Sequence, residues 1–260
     1  MTTLDALRGE IIGRAEAEPD RGFPDRLFVG EVGGLLHVEF FGDPFGDSYP
    51  ELMEALVDPD VAGRLASLTL RGPDEGANGT RNWDIGALAG SGVDFPGLRS
   101  LSIQQTGPAD HNRSIVARVY DEDGVLARLL EKAPGLEELV SPSAPSADFF
   151  RVGRRPLRSL SVDAGYDHQG FIRNLARSGC FPDLRSLEFG EYNETYMEDF
   201  ASLVTPFEDY RELFGSSAFA PVGFFRWRNP ACSGDEIAGL KAMGRGRHFQ
   251  VVRWSAEWIR

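Results

Sequence analysis

Two acid–imidazole pairs are the first residues in this sequence that could do chemistry: Asp110 with His111, and Asp167 with His168. Asp163 lies four residues before Asp167, and Tyr166 adds a phenol. A carboxylate beside an imidazole can ligate a metal or move a proton. Adjacent residues rarely chelate one ion, however, and Asp, Asn and Gly are ordinary loop formers. No nucleophile elbow, phosphate loop or dinucleotide fingerprint is present. Residues 72–79 are glycine-rich but acidic and carry no lysine, which suits a loop rather than a phosphate cradle. Only Lys132 and Lys241 are lysines, and the other 25 basic residues are arginines. That removes most candidates for Schiff-base or phosphate-loop lysines. Cys180 and Cys232 stand far apart, without the spacing of a disulfide framework or a structural zinc site. His37 and His248 fall on or beside strands and read as packing or surface residues. No catalytic residue, metal or cofactor is assigned from these residues.

The sharpest local signal is residues 191–212. Seven acids (Glu191, Glu194, Glu198, Asp199, Glu208, Asp209, Glu212) face one base, Arg211, and Tyr192, Tyr196 and Tyr210 are interleaved. The segment carries −6 of a total formal charge of −13 in a chain of 260 residues. Carboxylates beside tyrosines form a dock for a basic protein, with charge steering the encounter and rings supplying contact energy. The same pattern also fits a solvated outer helix with a few core aromatics. Residues 226–260 are opposite in sign, at +4. The acidic total excludes nucleic acid and anionic membrane as expected partners. No run approaches the roughly 20 apolar residues of a membrane span, and the N-terminus lacks a signal-peptide pattern. The cytoplasm is the expected compartment.

The elements that must carry these residues follow from a recurring pattern: apolar, two variable, apolar, one variable, apolar. It appears at Leu65/Leu68/Leu70, Leu98/Leu101/Ile103, Leu157/Leu160/Val162 and Leu184/Leu187/Phe189. Leu136/Leu139 is a weaker copy, because its third position falls on Ser141. Leu35/Val38/Phe40, Phe219/Val222/Phe224 and Phe249/Val252/Trp254 fit more loosely. Successive units begin 30, 33, 38, 21, 27, 35 and 30 residues apart. The last two apolar positions alternate with polar ones, the period of a half-buried strand. Proline precedes four units, at Pro96, Pro134, Pro156 and Pro182, and stops a helix from running into the strand.

Helical faces lie between the strands. Ser48 with Glu51, and Ser233 with Glu236, have capping-box spacing. Val125/Leu126/Leu129/Leu130, Phe171/Ile172/Leu175 and Met197/Phe200/Leu203 give three more amphipathic faces. Strand and helix in alternation predict parallel strands joined by right-handed crossovers. A doubly wound sheet would need apolar residues on both strand faces. Here one face is polar: Ser67, Thr69, Ser100, Ser102, Ser159, Ser161, Ser186 and Glu188. That pattern fits a sheet with one wet face.

Leucine-arginine-serine-leucine units preceded by a proline turn and separated by helices resemble a leucine-rich repeat protein. More narrowly, they resemble the irregular cytoplasmic leucine-rich repeat proteins of bacteria. The resemblance implies an α/β, right-handed solenoid with its parallel sheet on the inner face and helices on the outer face. Residues 1–34 would be an N-terminal cap, with Leu4, Leu7, Ile11 and Ile12 at helical spacing. Residues 35–260 would form one continuous solenoid of about eight units, with Trp254 and Trp258 sealing its end. Such a fold binds proteins on its open face. Arg71, Gln104, Asp163 and Phe225, from the varied third polar column, are candidate contacts. Glu188, Glu191, Tyr192, Glu194, Tyr196, Glu198 and Asp199 extend them into the acidic segment. The expectation is a non-enzymatic scaffold for a protein partner, such as an inhibitor or immunity-type protein docking a basic one. An enzyme or metal-binding protein with its site in the post-strand loops, or an accessory subunit of an operon-encoded complex, are the alternatives. The repeat has a direct thermodynamic consequence. Leu101→Ala and Leu160→Ala should each cost roughly 2–5 kcal/mol, and near-zero shifts for both in thermal melts would overturn the repeat.

Overall fold

The computed structural model describes residues 3–18, 20, 22–74, 79–116, 122–192, 200–244 and 246–254. A helix α1 (Thr3–Ala17) is followed by a hairpin of β1 (Arg26–Val32) and β2 (Leu35–Phe41). Next come α2 (Ser48–Leu56), α3 (Pro59–Ala62), β3 (Leu65–Arg71), β4 (Thr80–Asn82), α4 (Gly86–Gly90) and β5 (Ser100–Ile103). The middle of the chain forms β6 (Arg113–Ile115), α5 (Val125–Lys132), β7 (Glu138–Ser141), a 3-10 turn (Ala147–Phe150) and β8 (Ser159–Asp163). It ends with α6 (Phe171–Ala176), β9 (Ser186–Gly190), α7 (Phe200–Leu203), α8 (Phe207–Gly215), β10 (Phe224–Arg228), α9 (Gly234–Met243) and β11 (His248–Val252).

Nine strands form one mixed, mostly parallel sheet, in the order β1-β2-β3-β5-β7-β8-β9-β10-β11. Among the described residues, only the β1–β2 pair of this sheet is antiparallel. The sheet therefore grows in chain order. The short β4 and β6 leave it and pair with each other in a second, two-stranded parallel sheet.

Register follows the apolar pattern. Val38, Leu68, Leu101, Leu139, Leu160, Leu187, Phe225 and Phe249 lie side by side across the ladder. Along each strand from β2 to β10, buried residues alternate with partly exposed ones. The inward side chains share one core with the buried residues of the helices. Neighbouring helices touch in the same chain order as the strands: α1 with α2, α2 with α4, α4 with α5, α6 with α8, and α8 with α9. The result is a helical layer on one side of a sheet.

Several expectations change. The last two units sit three residues away from the expected register. In β10, Phe225 pairs with Leu187 and Trp227 with Phe189. In β11, Phe249 and Val251 take those places, not Val252 and Trp254. Phe225 is therefore a core residue, 1% exposed, and not a partner contact. Two overlapping apolar triplets exist near residue 222, and the one ending on Trp227 buries the larger rings. The strand β1 was not expected. It lies in the segment read as a helical cap, and its turn, Gly33–Gly34, has both residues at positive φ (60° and 84°), where glycine carries no steric cost.

The capping box at Ser233 and Glu236 is present in both directions. The one at Ser48 is not: Asp47 is the N-cap residue with helical dihedrals, and no side chain caps the helix. The buried Ser48 hydroxyl instead accepts from Arg14 of α1, which also pairs with Glu51 at 2.8 Å, tying the first helix to the second. Ser141, the apparent flaw in the repeat, is fully buried, and its hydroxyl donates to the Ser143 carbonyl at 2.7 Å. Met197 and Trp258 lie outside the described residues.

The two faces of β10 give a test of register. Phe225→Ala should cost about 3–5 kcal/mol as a core truncation. Phe224→Ala, on the other face, should cost less than about 1 kcal/mol. Equal costs in urea unfolding would mean that the register is misplaced.

Candidate functional site

The sheet face opposite the helices is a partly exposed, largely polar surface. Its first row runs His37, Ser67, Ser100, Glu138, Ser159, Ser186, Phe224 and His248. Its second runs Glu39, Thr69, Ser102, Val140, Ser161, Glu188, Arg226 and Gln250. All sixteen are partly or fully exposed. Side chains join neighbouring strands across it. His37 Nδ1 meets the Ser67 hydroxyl at 2.8 Å, and Ser100 donates to Glu138 at 3.2 Å. Ser161 donates to Gln105 at 3.2 Å. The centre is a floor of short hydroxyls. Its C-terminal rim is bulkier: Phe224 stacks on His248 with centroids 5.3 Å apart, and Arg226 lies over the Phe224 ring. Arg226 also reaches Gln250 at 2.7 Å and Glu188 at 3.2 Å.

At the C-terminal ends of β8, β9 and β10 sits a second cluster. Arg228, nearly buried, pairs with Asp163 at 2.5 Å and Glu188 at 2.6 Å, and lies over the Trp254 ring. Gly190 lets this pair form, because a Cβ there would collide with both the Asp163 carboxylate and the Arg228 guanidinium. Arg113 donates to the Gly165 carbonyl at 2.6 Å and lies over the rings of Tyr166 and Tyr192. Burial pushes the Asp163 carboxyl up to about 6, and the adjacent Arg228 offsets this only in part. One residue beyond β9, Glu191 is buried and accepts from the Tyr210 hydroxyl and the Thr205 backbone N–H. Burial pushes its carboxyl up to about 7, against these two hydrogen bonds. Burial and the neighbouring Glu191 carboxylate raise the Tyr210 phenol as well. The cleft between Arg113, Asp163, Glu191 and Arg228 holds only about 30 Å³. That is room for a water or two and for no substrate.

The acid–imidazole residues separate into two places. Asp110 pairs at 2.5 Å with Arg81, which is buried and also donates to the carbonyls of Gly72, Pro73 and Asn112. His111 meets Asp74 through its ring at 2.7 Å and its backbone N–H at 2.9 Å. Burial works to raise the Asp74 carboxyl, but the bonds from His111 and Asn112 win and hold it near about 2. Asp163 belongs to the Arg228 cluster, with Tyr166 against Arg113. Asp167 accepts from the Gln169 N–H, and His168 accepts from the Gly170 N–H, so both shape their own turn. Among the described residues, no three His, Cys, Asp or Glu side chains gather as a metal site would require.

Of the expected partner contacts, Arg71 is exposed near Glu39, and Gln104 accepts from the Gly72 N–H. Glu188 lies on the open face. Glu191 and Tyr192 are buried, at 6% and 3% exposure, so neither is available to a partner. Glu194, Tyr196, Glu198 and Asp199 lie outside the described residues. Of the other described acids, Asp209 and Glu212 of α8 pair with Arg173 and Arg177 of α6 at 2.9 and 2.6 Å, and the exposed Glu208 pairs with Arg211 at 2.8 Å. The signal that Arg173 and Arg177, four apart on the preceding helix, would meet these acids was present in the sequence. Phe224, Arg226 and His248 were missed because the register of the last two units was misread.

Comparison with protein-family models, with curated proteins and with solved structures gave no match.

The two raised carboxyls predict a pH dependence with a definite sign. Each has a folded-state pKa above its unfolded value, 3.8 for Asp163 and 4.5 for Glu191. Their contribution to stability is complete below those values and is lost as pH rises through about 6 and about 7. Urea midpoints should fall between pH 5 and pH 8, with Glu191 contributing roughly 2–4 kcal/mol of that fall. Glu191→Gln should flatten the profile. A wild-type midpoint that rises over this range, or a variant with the same slope, would overturn this assignment.

Proposed function

We propose that this chain is a non-enzymatic protein-binding scaffold, built as a leucine-rich-repeat-like solenoid that presents its open sheet face to one protein partner. The observation that supports it most is that face itself. It runs across eight strands, carries a floor of small hydroxyls and ends in an aromatic and guanidinium rim. A flat hydroxyl floor excludes little and lets a partner approach closely. Phe224 and Arg226 are residue types that supply contact energy at interfaces. The arrangement needs no cofactor. The post-strand residues that could do chemistry each hold a structural contact, which supports binding over catalysis.

The partner need not be basic. The face carries Arg71 and Arg226 against Glu39, Glu138 and Glu188, so it is close to neutral, and the described acids of 191–212 each hold a contact within the chain. Recognition would rest on shape and on the rim. The two cysteines are free thiols, which fits a reducing compartment such as the cytoplasm. No helix among the described residues is long and apolar enough to cross a membrane.

Quantitative affinity capture tests the reading. Ser102→Arg and Ser161→Arg place a long charge on the floor without touching the core. Glu131→Lys changes an exposed position on α5, in the helical layer, and serves as control. A protein captured by the wild type should fall about tenfold or more in recovery with either arginine variant, equivalent to about 1.4 kcal/mol. It should persist with Glu131→Lys. Equal recovery across all three variants would mean that the sheet face is not the binding surface.

A further inference from the structure

The N-terminal edge of the large sheet carries charge near its two ends, at Arg26 and Glu31, and none between them. Natural sheets protect edge strands with charge, proline, bulges or brevity. The edge strand β1 has seven residues, and Leu27, Phe28, Val29 and Gly30 at its centre carry no charge and no proline. On the open side of the sheet Phe28 is 57% exposed and Val32 68%. On the helical side, a groove of about 810 Å³ runs between α1 and β1. Arg8, Ile12, Ala15 and Glu16 of α1 form one wall, and residues 24–30 form the other. Ile12 is 52% exposed there, although its helix neighbour Ile11 is 2% exposed. The edge offers unpaired backbone groups beside apolar side chains on both faces.

The charges on that wall choose the occupant. Arg8 and Glu16 lie four residues to either side of Ile12, about 6 Å each way along the helix. An antiparallel copy of α1 related by a two-fold axis at Ile12 would bring Arg8 of each copy opposite Glu16 of the other, and Ile12 against Ile12. The same axis, perpendicular to the sheet, would set β1 antiparallel to its copy. With the axis at the middle of β1, Phe28 lies diagonally from its own counterpart, within reach of an aromatic pair. A strand-edge contact is self-complementary under a two-fold operation, as an isologous dimer requires. Among the described residues, Arg8 meets Asp5 of its own helix in an exposed contact at 3.7 Å, a weak pair to exchange.

We propose that this edge is a homodimer interface, in which β1 pairs antiparallel with β1 of a second copy and the two α1 helices meet through reciprocal Arg8–Glu16 pairs. Sedimentation velocity over a concentration series tests it, with circular dichroism melts to confirm that each variant folds. The wild type should reversibly dimerise at micromolar concentration. Arg8→Glu and Glu16→Arg, each alone, place like charges opposite one another twice per dimer and should weaken dimerisation about tenfold or more. An equimolar mixture of the two variants restores both opposite-charge pairs and should return dimers near the wild-type affinity. Phe28→Asp should weaken dimerisation in every background. A wild type that stays monomeric, a dimer indifferent to these changes, or a mixture no better than its components would overturn the proposal.

Discussion

A shared height across the ladder is the constraint on which the molecule depends. Neighbouring strands lie about 4.8 Å apart, and each must present its inward side chains level with those beside it. The chain meets this by delivering Leu68, Leu101, Leu139, Leu160 and Leu187 at the same position in five successive parallel strands. Because the position is fixed, variation is pushed into the connections. The segments between strands differ in length and in the helix they carry, and the core adapts to them. In the middle of the sheet leucines suffice. Toward the C-terminus rings take over: Phe171 stacks on Phe189 at 5.3 Å, and Tyr210 lies 4.1 Å from Trp227. The inner column itself changes from Leu187 to Phe225 and Phe249.

The parts of this arrangement that could be read from sequence are those repeated often enough to correct one another. Six of the eight predicted strands stand where the leucine pattern puts them. The last two do not, because Phe219, Val222, Phe224, Phe225 and Trp227 supply two overlapping triplets, and only three-dimensional packing selects one. β1 was illegible for another reason. Its residues alternate only weakly and its partner is a hairpin neighbour, so the repeat contains no copy of it. The helix caps show the same limit. Ser233 caps because the chain enters α9 extended, whereas Ser48 cannot because Asp47 already has helical dihedrals. The spacing of residues is identical in the two cases, and the backbone before them decides. At the candidate site, the hydroxyl floor was legible from alternation alone, but its aromatic rim inherited the register error.

The preference for arginine over lysine has a structural use at the buried positions. Arg81 divides its donors among three carbonyls and Asp110, and Arg228 serves two carboxylates while lying over Trp254. A guanidinium can do this because its donors are fixed in a planar fork, whereas an ammonium offers one compact charge. These two residues tie the ends of several strands to the loops that follow them, where a parallel sheet has no hairpin to close it. Burial weighs on two nearby carboxylates: it raises Asp163 although Arg228 beside it pulls the other way, and it raises Glu191, which is enclosed by rings.

This division of charge bears on what the open face can recognise. A parallel ladder places equivalent side chains one strand spacing apart, and a column of like charges there would repel along its whole length. Short hydroxyls avoid that penalty and leave the face flat, wet and nearly neutral. The net charge of −13 therefore cannot be a property of the face. It belongs to the helical layer and the loops, where it raises the long-range field around the molecule. Field and contact are then separable. For the proposed scaffold, the acidic exterior would set the rate of encounter, an effect that weakens with salt. In the proposed scaffold, the floor and its rim of Phe224, Arg226 and His248 would set how long an encounter lasts, which would depend on shape and desolvation and far less on ionic strength.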